Sequence, residues 1–154
     1  MPDCFISYSH EDEELAKKIS ETIRGQGLEP FMASMSLRPG QEWSQTIRRN
    51  LRNSKWVFVL ASPAACQSPF VQQEVGGAIF GEKRIVPVIW NMPPSHLPGW
   101  LSRYQALDVR GATLDVLQEK VIRIADEIRA KKAQGLLLLG CLLLALAVFG
   151  GKGK

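Results

Sequence analysis

Cysteine is scarce in this chain, and its three cysteines suggest no pairing scheme. Cys4 lies in a short apolar segment, Cys66 in a turn, and Cys141 in a Leu-rich stretch near the end of the chain. Because disulfide frameworks are typical of small secreted domains, this usage indicates a reducing compartment. The first residues, MPDCFISYSH, also lack the basic group and long apolar stretch of a secretory signal. The folded part is therefore predicted to remain in the cytosol.

An excess of charge of one sign is also missing. The 19 basic and 15 acidic residues give a formal net charge of +4 and are spread along the chain. A small basic group at Arg129, Lys131 and Lys132 favours a membrane surface over nucleic acid, so no nucleic-acid partner is expected. The length of 154 residues and the 45% content of hydrophobic residues suit one globular domain.

One long apolar run is present. Residues 135–151, GLLLLGCLLLALAVFGG, contain no charge. As an α-helix this run is about 26 Å long, slightly shorter than the ~30 Å hydrocarbon core of a bilayer. The run predicts a transmembrane helix after a basic linker at 131–134. Because positive charge is denser before the run, we expect a single-pass membrane protein whose domain at 1–130 faces the cytoplasm. A buried core helix is the alternative, although core helices normally keep a polar face.

Short apolar runs alternate with amphipathic stretches along the rest of the chain. The runs at 4–8, 28–32, 55–60, 84–90 and 106–109 are predicted strands. Four helices are predicted. The first begins at Ser9, the second ends near Asn53, the third runs from about 68 to 81, and the fourth runs from about 114 to 132. This alternation predicts a parallel α/β sheet. Pro87 cannot donate a ladder hydrogen bond, so a bulge or irregularity is expected in the fourth strand.

Candidate site residues follow from the topology. Ligands of an open parallel sheet bind beyond the carboxyl ends of the strands, where the strand order reverses. This rule selects the loops SYSHED at 7–12, ASMSLRPGQEW at 33–43 and ASPAACQSP at 61–69. Glu74, in SPFVQQEV at 68–75, follows the third loop and is expected on the same rim. Glu74 is either an acid that favours the helix dipole or a catalytic carboxylate.

Other chemistry has less support. His10 and Cys66 are a possible base and thiol, but nothing in the sequence orients them. No group of His, Cys or carboxylate residues has metal-ligand spacing.

Three segments resemble the successive boxes of a Toll/interleukin-1 receptor (TIR) domain, especially of the bacterial kind. They are FISYSHEDEELAKKI at 5–19, LRPGQEW at 37–43, and SP at 62–63 followed by SPFVQQEV at 68–75. The resemblance covers about residues 3–130. It implies a flavodoxin-like five-stranded parallel sheet in the order 2-1-3-4-5, flanked by helices, to which the predicted transmembrane helix would be added. It also implies either cleavage of NAD+ at the nicotinamide–ribose bond or homotypic scaffolding.

The resemblance assigns roles to particular residues. In enzymatic members a glutamate of the third helix is essential, and the pattern of Ser, aromatic and Glu falls on Ser68, Phe70 and Glu74. Glu74 is thus the predicted catalytic residue, and NAD+ is a substrate, so no cofactor is expected. The predicted substrate-binding residues are Ser7, Tyr8, Ser9, Arg38, Pro39, Gly40, Trp43 and Phe70.

Several of these residues also have a structural interpretation. Phe70 could belong to the core, Ser9 could be only a helix cap, and Arg38 a solvated loop residue. Trp43 shares a spacing of four with Ile47 and Leu51 and could anchor its helix.

The chain departs from the family pattern at three positions. Ala33 stands near the place of a usual acid, Phe70 replaces the usual Trp, and Val71 replaces the usual Cys. Phe70 keeps an aromatic ring, whereas the missing acid concerns how the substrate would be held.

The leading hypothesis is a membrane-anchored TIR-domain NADase in defence or stress signalling. It would be activated by self-association, because resembling enzymes build their site partly from a neighbouring domain's loop. The products would be nicotinamide and ADP-ribose, linear or cyclic. Expected partners are other copies, other TIR-domain proteins, and the membrane through residues 135–151. The alternative is a non-enzymatic scaffold. A receiver-like domain fits less well, because Ser7 and Tyr8 stand where paired Mg²⁺-binding acids would lie.

Overall fold

The computed structural model describes residues 1–33 and 45–150, with side chains described through residue 140. Five strands and six α-helices lie within these ranges. The strands are β1 (Cys4–Ser7), β2 (Pro30–Met32), β3 (Trp56–Ala61), β4 (Arg84–Ile89) and β5 (Leu107–Asp108). The helices are α1 (Glu13–Gly25), α2 (Gln45–Asn53), α3 (Pro63–Gln67), α4 (Pro69–Phe80), α5 (Gly99–Ser102) and α6 (Leu114–Gly150). Short 3-10 turns occur at His10–Asp12 and Pro94–His96.

The five strands form one parallel sheet in the order β2-β1-β3-β4-β5. This arrangement confirms the predicted α/β class and strand order. The strand order reverses at β1, because β2 lies on one side of β1 and β3 lies on the other. A reversal of this kind opens a crevice at the carboxyl ends of the neighbouring strands. The end of β1 is therefore the place to look for a ligand site.

Helices cover both faces of the sheet because successive strand residues point to opposite sides. On one face, Ile6 and Phe58 pack in a cluster with α1 and α6. On the other face, Phe5 and Val57 pack in a second cluster with α2, α4 and α5. Both faces are buried, so β1 and β3 are buried along their whole length, and every residue of the two strands except Ser7 is apolar. Ser7 lies on the same face as Phe5 and is therefore directed towards α4.

The irregularity expected at Pro87 does not occur. Pro87 pairs with Val59 in an unbroken register from Arg84 to Ile89. The Arg84 amide bonds to Lys55 on the β3 side, and alternate residues send their amides the same way, so residue 87 faces β5. Pairing with β5 begins only at Val88. The missing donor of Pro87 therefore leaves no ladder bond unmade.

Two short helices were not predicted. The loop expected at 61–69 contains α3, where Ser62 accepts a hydrogen bond from the amide of Ala65 at 3.0 Å and Pro63 occupies the first turn. The other is α5, which follows Pro98. Such short helices bury few apolar residues, so they leave little periodicity in the sequence.

The predicted transmembrane helix at 135–151, and with it the single-pass membrane localisation, is wrong. Among the described residues, no helix is long and apolar enough to cross a bilayer. The apolar run continues α6, which is charged as far as Lys132. The linker predicted at 131–134 lies inside the same helix. The domain boundary at residue 130 stays a prediction.

Candidate functional site

The start of α4 determines where Glu74 lies. Ser68 is the N-cap of α4, its hydroxyl accepts a hydrogen bond from the Val71 amide at 3.4 Å, and Pro69 occupies the first turn. These two residues fix the beginning of the helix close to the carboxyl ends of the strands. Val71 and Val75 bury one side of α4 against the sheet, and Glu74 is buried on the same helix. In α4, which is described throughout, no acid lies in the first turn. The structure therefore gives no support to the interpretation of Glu74 as a first-turn acid.

Glu74 and Ser7 form a buried pair between α4 and the end of β1. The Ser7 hydroxyl donates a hydrogen bond to Oε2 of Glu74. Ser7 is fully buried and Glu74 is only 4% exposed. Burial raises the pKa of Glu74 to about 8, although the hydrogen bond from Ser7 acts in the opposite direction. A carboxyl group with a strongly raised pKa at the switch point of a parallel sheet is typical of a functional site.

A second buried carboxylate, Asp12, connects three loops at the same edge of the sheet. Its Oδ2 accepts hydrogen bonds from the Ser9 hydroxyl at 2.5 Å and from the Ser62 hydroxyl at 2.7 Å. Its Oδ1 accepts from Nε1 of Trp90 at 2.8 Å, and Asp12 is 1% exposed. Ser9, Ser62 and Trp90 follow β1, β3 and β4, respectively. We call these four residues the Asp12 network.

Sequence reasoning found only part of this network. Ser9 was considered as a helix cap, and its amide donates a hydrogen bond to Oδ2 of Asp12 at 3.3 Å. Ser62 and Trp90 were not singled out. A usable signal was present, because each of the two follows the carboxyl end of a predicted strand.

The predicted substrate-binding residues are not all on one surface. Ser7 contacts Glu74, whereas Ser9 is held by Asp12 and is 4% exposed. Tyr8 is buried in the cluster that faces α1 and α6, on the opposite side of the sheet from Glu74. Phe70 is 38% exposed at the start of α4, so the structure does not place it in the core. Arg38, Pro39, Gly40 and Trp43 lie outside the described residues.

Two of the departures from the family pattern are buried. Ala33, at the end of β2, is 2% exposed, and its amide donates to the Ile6 carbonyl at 3.0 Å. Val71, on α4, is 1% exposed and packs against the sheet. Their apolar side chains contribute to the core next to the candidate site.

The structure argues against a thiol nucleophile at Cys66. Burial raises the pKa of Cys66, and the nearby Asp12 carboxylate raises it further. The reactive form of cysteine is the thiolate, which this environment disfavours. His10 lies 3.7 Å from Glu13, with its side chain largely exposed.

The doubly wound parallel sheet defines a flavodoxin-like domain, and its buried carboxyl group at the switch point marks a candidate ligand site at the carboxyl edge. The chain belongs to the TIR domain family, whose family model matches residues 4–129. The TIR assignment made from the three sequence boxes is thus confirmed.

Two relatives with assigned activities resemble part of the chain. A probable 2′ cyclic ADP-D-ribose synthase of Brachypodium distachyon is 26% identical over 97 residues, which is 62% of this chain and 43% of that protein. An NAD+ hydrolase of Paracoccus denitrificans is 31% identical over 94 residues, which is 58% of this chain and 31% of that protein. The matched part of the chain spans less than half the length of these relatives.

A solved structure supports the fold. The TIR domain of the Toll-related receptor TRR-2 from Hydra magnipapillata superposes with a TM-score of 0.67 at 21% identity. The match covers 84% of this chain and 99% of that one.

Proposed function

We propose that this chain is an NAD+ nucleosidase of defence or stress signalling that becomes active when copies of it associate. The observation that carries the proposal is the position of Glu74, a buried carboxyl group held by Ser7 at the switch point of the sheet. Membership of the TIR family and the activities of the two relatives support the same reaction class.

The reaction suits a site with a single carboxylate. The bond between ribose C1′ and the nicotinamide nitrogen breaks, and its electron pair goes to the nitrogen. The cationic pyridinium thus leaves as neutral nicotinamide, so no general acid is needed, unlike in ordinary glycoside hydrolysis. Positive charge develops on the ribose in the transition state. The Glu74 carboxylate would stabilise this charge in a site from which water is largely excluded.

The protonation state of Glu74 then controls turnover. With its pKa raised to about 8, Glu74 is mostly neutral at pH 7 in the unliganded protein. Only the ionised carboxylate stabilises a developing cation. A bound pyridinium ring would favour ionisation because opposite charges nearby lower a carboxyl pKa. The proposed substrate therefore helps to ionise its own catalytic group.

The other site residues have proposed supporting roles. Ser7 orients the Glu74 carboxyl group through its hydrogen bond. Phe70, one turn before Glu74 on α4 and partly exposed, would pack on a ring of the substrate. Ser9, Tyr8, Arg38, Pro39, Gly40 and Trp43 stay as predicted substrate-binding residues.

The choice of product depends on which nucleophile reaches the ribosyl cation. Attack by water gives linear ADP-ribose and releases a proton, whereas attack by a group of the substrate itself gives a cyclic form. One of the two relatives is a hydrolase and the other a probable cyclic ADP-ribose synthase. Both outcomes share the first step at Glu74.

The proposal is tested by following NAD+ loss and nicotinamide release with the whole chain concentrated on beads. We expect turnover by the natural chain. In Glu74→Gln the turnover rate should fall at least about 100-fold, which is the scale of loss when one group that stabilises transition-state charge is removed. Glu21→Gln is the control, because Glu21 is an exposed acid on α1. Equal turnover in the two variants would refute the role of Glu74.

A non-enzymatic scaffold is the second candidate, and the low exposure of Glu74 favours it. A carboxyl group that is 4% exposed and bonded to β1 also serves as a structural tie between α4 and the sheet. A scaffold would show no NAD+ loss in any variant but would still bind other TIR domains. Measuring self-association of the same bead-bound variants separates the two functions.

A further inference from the structure

A second cavity lies at the opposite edge of the sheet from Glu74. It has a volume of about 810 Å³ and is bounded by the amino ends of β1, β3 and β4 together with α6. We call it the amino-edge cavity. Its lining includes five basic side chains: Lys55, Lys83, Arg84, Lys131 and Lys132. This cavity takes no part in the function proposed above.

The charge of the amino-edge cavity is poorly balanced. Two acids, Asp3 and Glu82, line it beside the five basic residues, which leaves an excess of three positive charges. Asp3 is already paired with Lys132 at 2.8 Å. Within the described residues, ion pairs involve none of the other four basic side chains. The pKa of Lys83 is lowered, first by burial and then by the nearby charge of Lys55. An anion in the cavity would relieve this repulsion.

The turn between α4 and β4 fixes the backbone of Lys83, and the Lys83 ammonium group donates a hydrogen bond to the Arg52 carbonyl at 2.5 Å. Glu82 has a φ of +52°, a conformation that L-residues with a side chain rarely adopt. Its amide bonds to the Ile79 carbonyl, and the Lys83 amide to the Ala78 carbonyl, which is the usual helix-ending motif with Glu in the place of Gly. A methyl group at Gly81 would lie 3.1 Å from Cε of Lys83. Gly81 therefore leaves the room that the Lys83 side chain occupies.

Trp56 lies between a cation of β4, Arg84, and a cation of α6, Lys131. The Arg84 guanidinium is 5.2 Å from the centre of its ring, and the Lys131 ammonium is 5.9 Å away. Trp56 is 7% exposed and its ring is already engaged by cations, so it offers no open face for stacking a base. The cavity thus offers positive charge from two sides without an aromatic platform. These features fit a phosphate-rich anion better than a nucleoside.

We propose that the amino-edge cavity binds a small anion with two or more phosphate groups. One phosphate group would contact Lys83 and Arg84 at the start of β4, and another would contact Lys131 on α6. Binding would connect α6 to the turn that precedes β4. Because the ligand binds the folded chain only, it would also raise the thermal stability of the protein.

The test is calorimetric titration of the whole chain with inorganic tripolyphosphate, together with thermal melting. Titration is done at about 0.1 M salt, where charges more than about 10 Å apart are largely screened. We expect saturable binding and a rise in melting temperature. The double variant Lys83→Gln with Lys131→Gln should weaken binding at least about 10-fold, since it removes one contact from each side of the cavity.

Two further variants make the test specific. Lys17→Gln removes the same charge from the exposed side of α1, outside the cavity, and should change affinity less than about twofold. Glu82→Gln removes a cavity acid and should strengthen binding about two- to threefold. The proposal is overturned if the natural chain shows no saturable binding. It is also overturned if the double variant binds like the natural chain, or if Lys17→Gln weakens binding as much as the double variant does.

Discussion

Single residues at the carboxyl edge differ in how far the sequence reveals them. A capping Ser68 followed by Pro69 is typical of a helix start, so the position of Glu74 near the carboxyl edge of the sheet was predictable from local signals. The hydrogen bond from Ser7 to Glu74 was not, because it joins residues 67 positions apart and depends on how α4 packs on the sheet. The same packing buries Glu74 and raises its pKa. The position of Glu74 could thus be predicted from the sequence, whereas its hydrogen bond and its raised pKa depend on the fold.

Burial of Glu74 predicts an unusual dependence of stability on pH. The pKa of Glu74 is raised from 4.5 to about 8, so the folded state holds a proton that the unfolded state releases. This group stabilises the fold fully below pH 4.5, and that contribution is lost as the pH rises through about 8. The loss amounts to roughly 3–5 kcal/mol. The side chain in Glu74→Gln stays neutral, so this variant should not lose stability in this way as the pH rises.

Urea unfolding of the natural chain and Glu74→Gln between pH 5 and pH 9 measures this effect. The two proteins should have similar stability near pH 5, and the variant should become the more stable one as the pH rises. Glu21→Gln provides the comparison for an exposed acid. Parallel pH profiles for all three proteins would show that Glu74 is not buried as described.

Replacement of Phe70 should weaken substrate binding while leaving the stability of the protein nearly unchanged. Its side chain is 38% exposed, so Phe70→Ala should change the free energy of unfolding by less than about 1 kcal/mol. If its ring packs on the substrate, the same variant should raise KM about two- to tenfold, whereas Phe70→Trp should keep KM near its natural value. Steady-state kinetics with NAD+ gives KM, and urea unfolding gives the free energy of unfolding. Phe80→Ala, at a 93% exposed position on α4, is the matched control. An unchanged KM in Phe70→Ala would remove Phe70 from the site.

At the scale of elements, local signals and burial patterns predicted the long strands and helices well. The buried runs that became β3 and β4 are within one residue of the structure at each end. Helix α1 ends at Gly25, and Gly27 follows with a φ of +74°. The prediction of a transmembrane helix at 135–151 was wrong, because no helix among the described residues is long and apolar enough to cross a bilayer and the run continues the charged helix α6. The irregularity at Pro87 was wrongly predicted because the loss of a ladder hydrogen bond there depends on where β5 begins to pair, which the local sequence does not show.

The Asp12 network is an element-scale feature because it joins three loops through one carboxylate. Asp12→Ala would leave the Ser9 amide and Nε1 of Trp90 without this acceptor in a buried site. We expect a loss of about 2–4 kcal/mol in the free energy of unfolding, measured in urea. Trp90→Phe removes only one donor and should cost less. Asp126→Ala, an exposed acid of α6, should change stability by less than about 0.5 kcal/mol. A loss in Asp12→Ala as small as that of Asp126→Ala would contradict the network.

On the scale of the whole molecule, the proposed activity depends on association between copies. The specific rate of NAD+ loss should therefore rise with the density of chains on a bead, because tethering raises the effective concentration of each partner. Dilution onto more beads at constant total protein should lower it. A specific rate independent of density would mean that one chain contains a complete site. Glu74→Gln beads at each density provide the background.

The dependence of nicotinamide release on pH tests the central claim, that ionised Glu74 is the catalytic group. At fixed bead density, kcat/KM reports the free enzyme, so it should rise with pH and level off above about 8. Ser7→Ala removes the hydrogen bond that lowers the pKa of Glu74, so its midpoint should move to higher pH. Ser20→Ala, at a buried serine of α1, should keep the natural midpoint. A flat profile between pH 6 and pH 9 in the natural chain, or an unchanged midpoint in Ser7→Ala, would contradict the account.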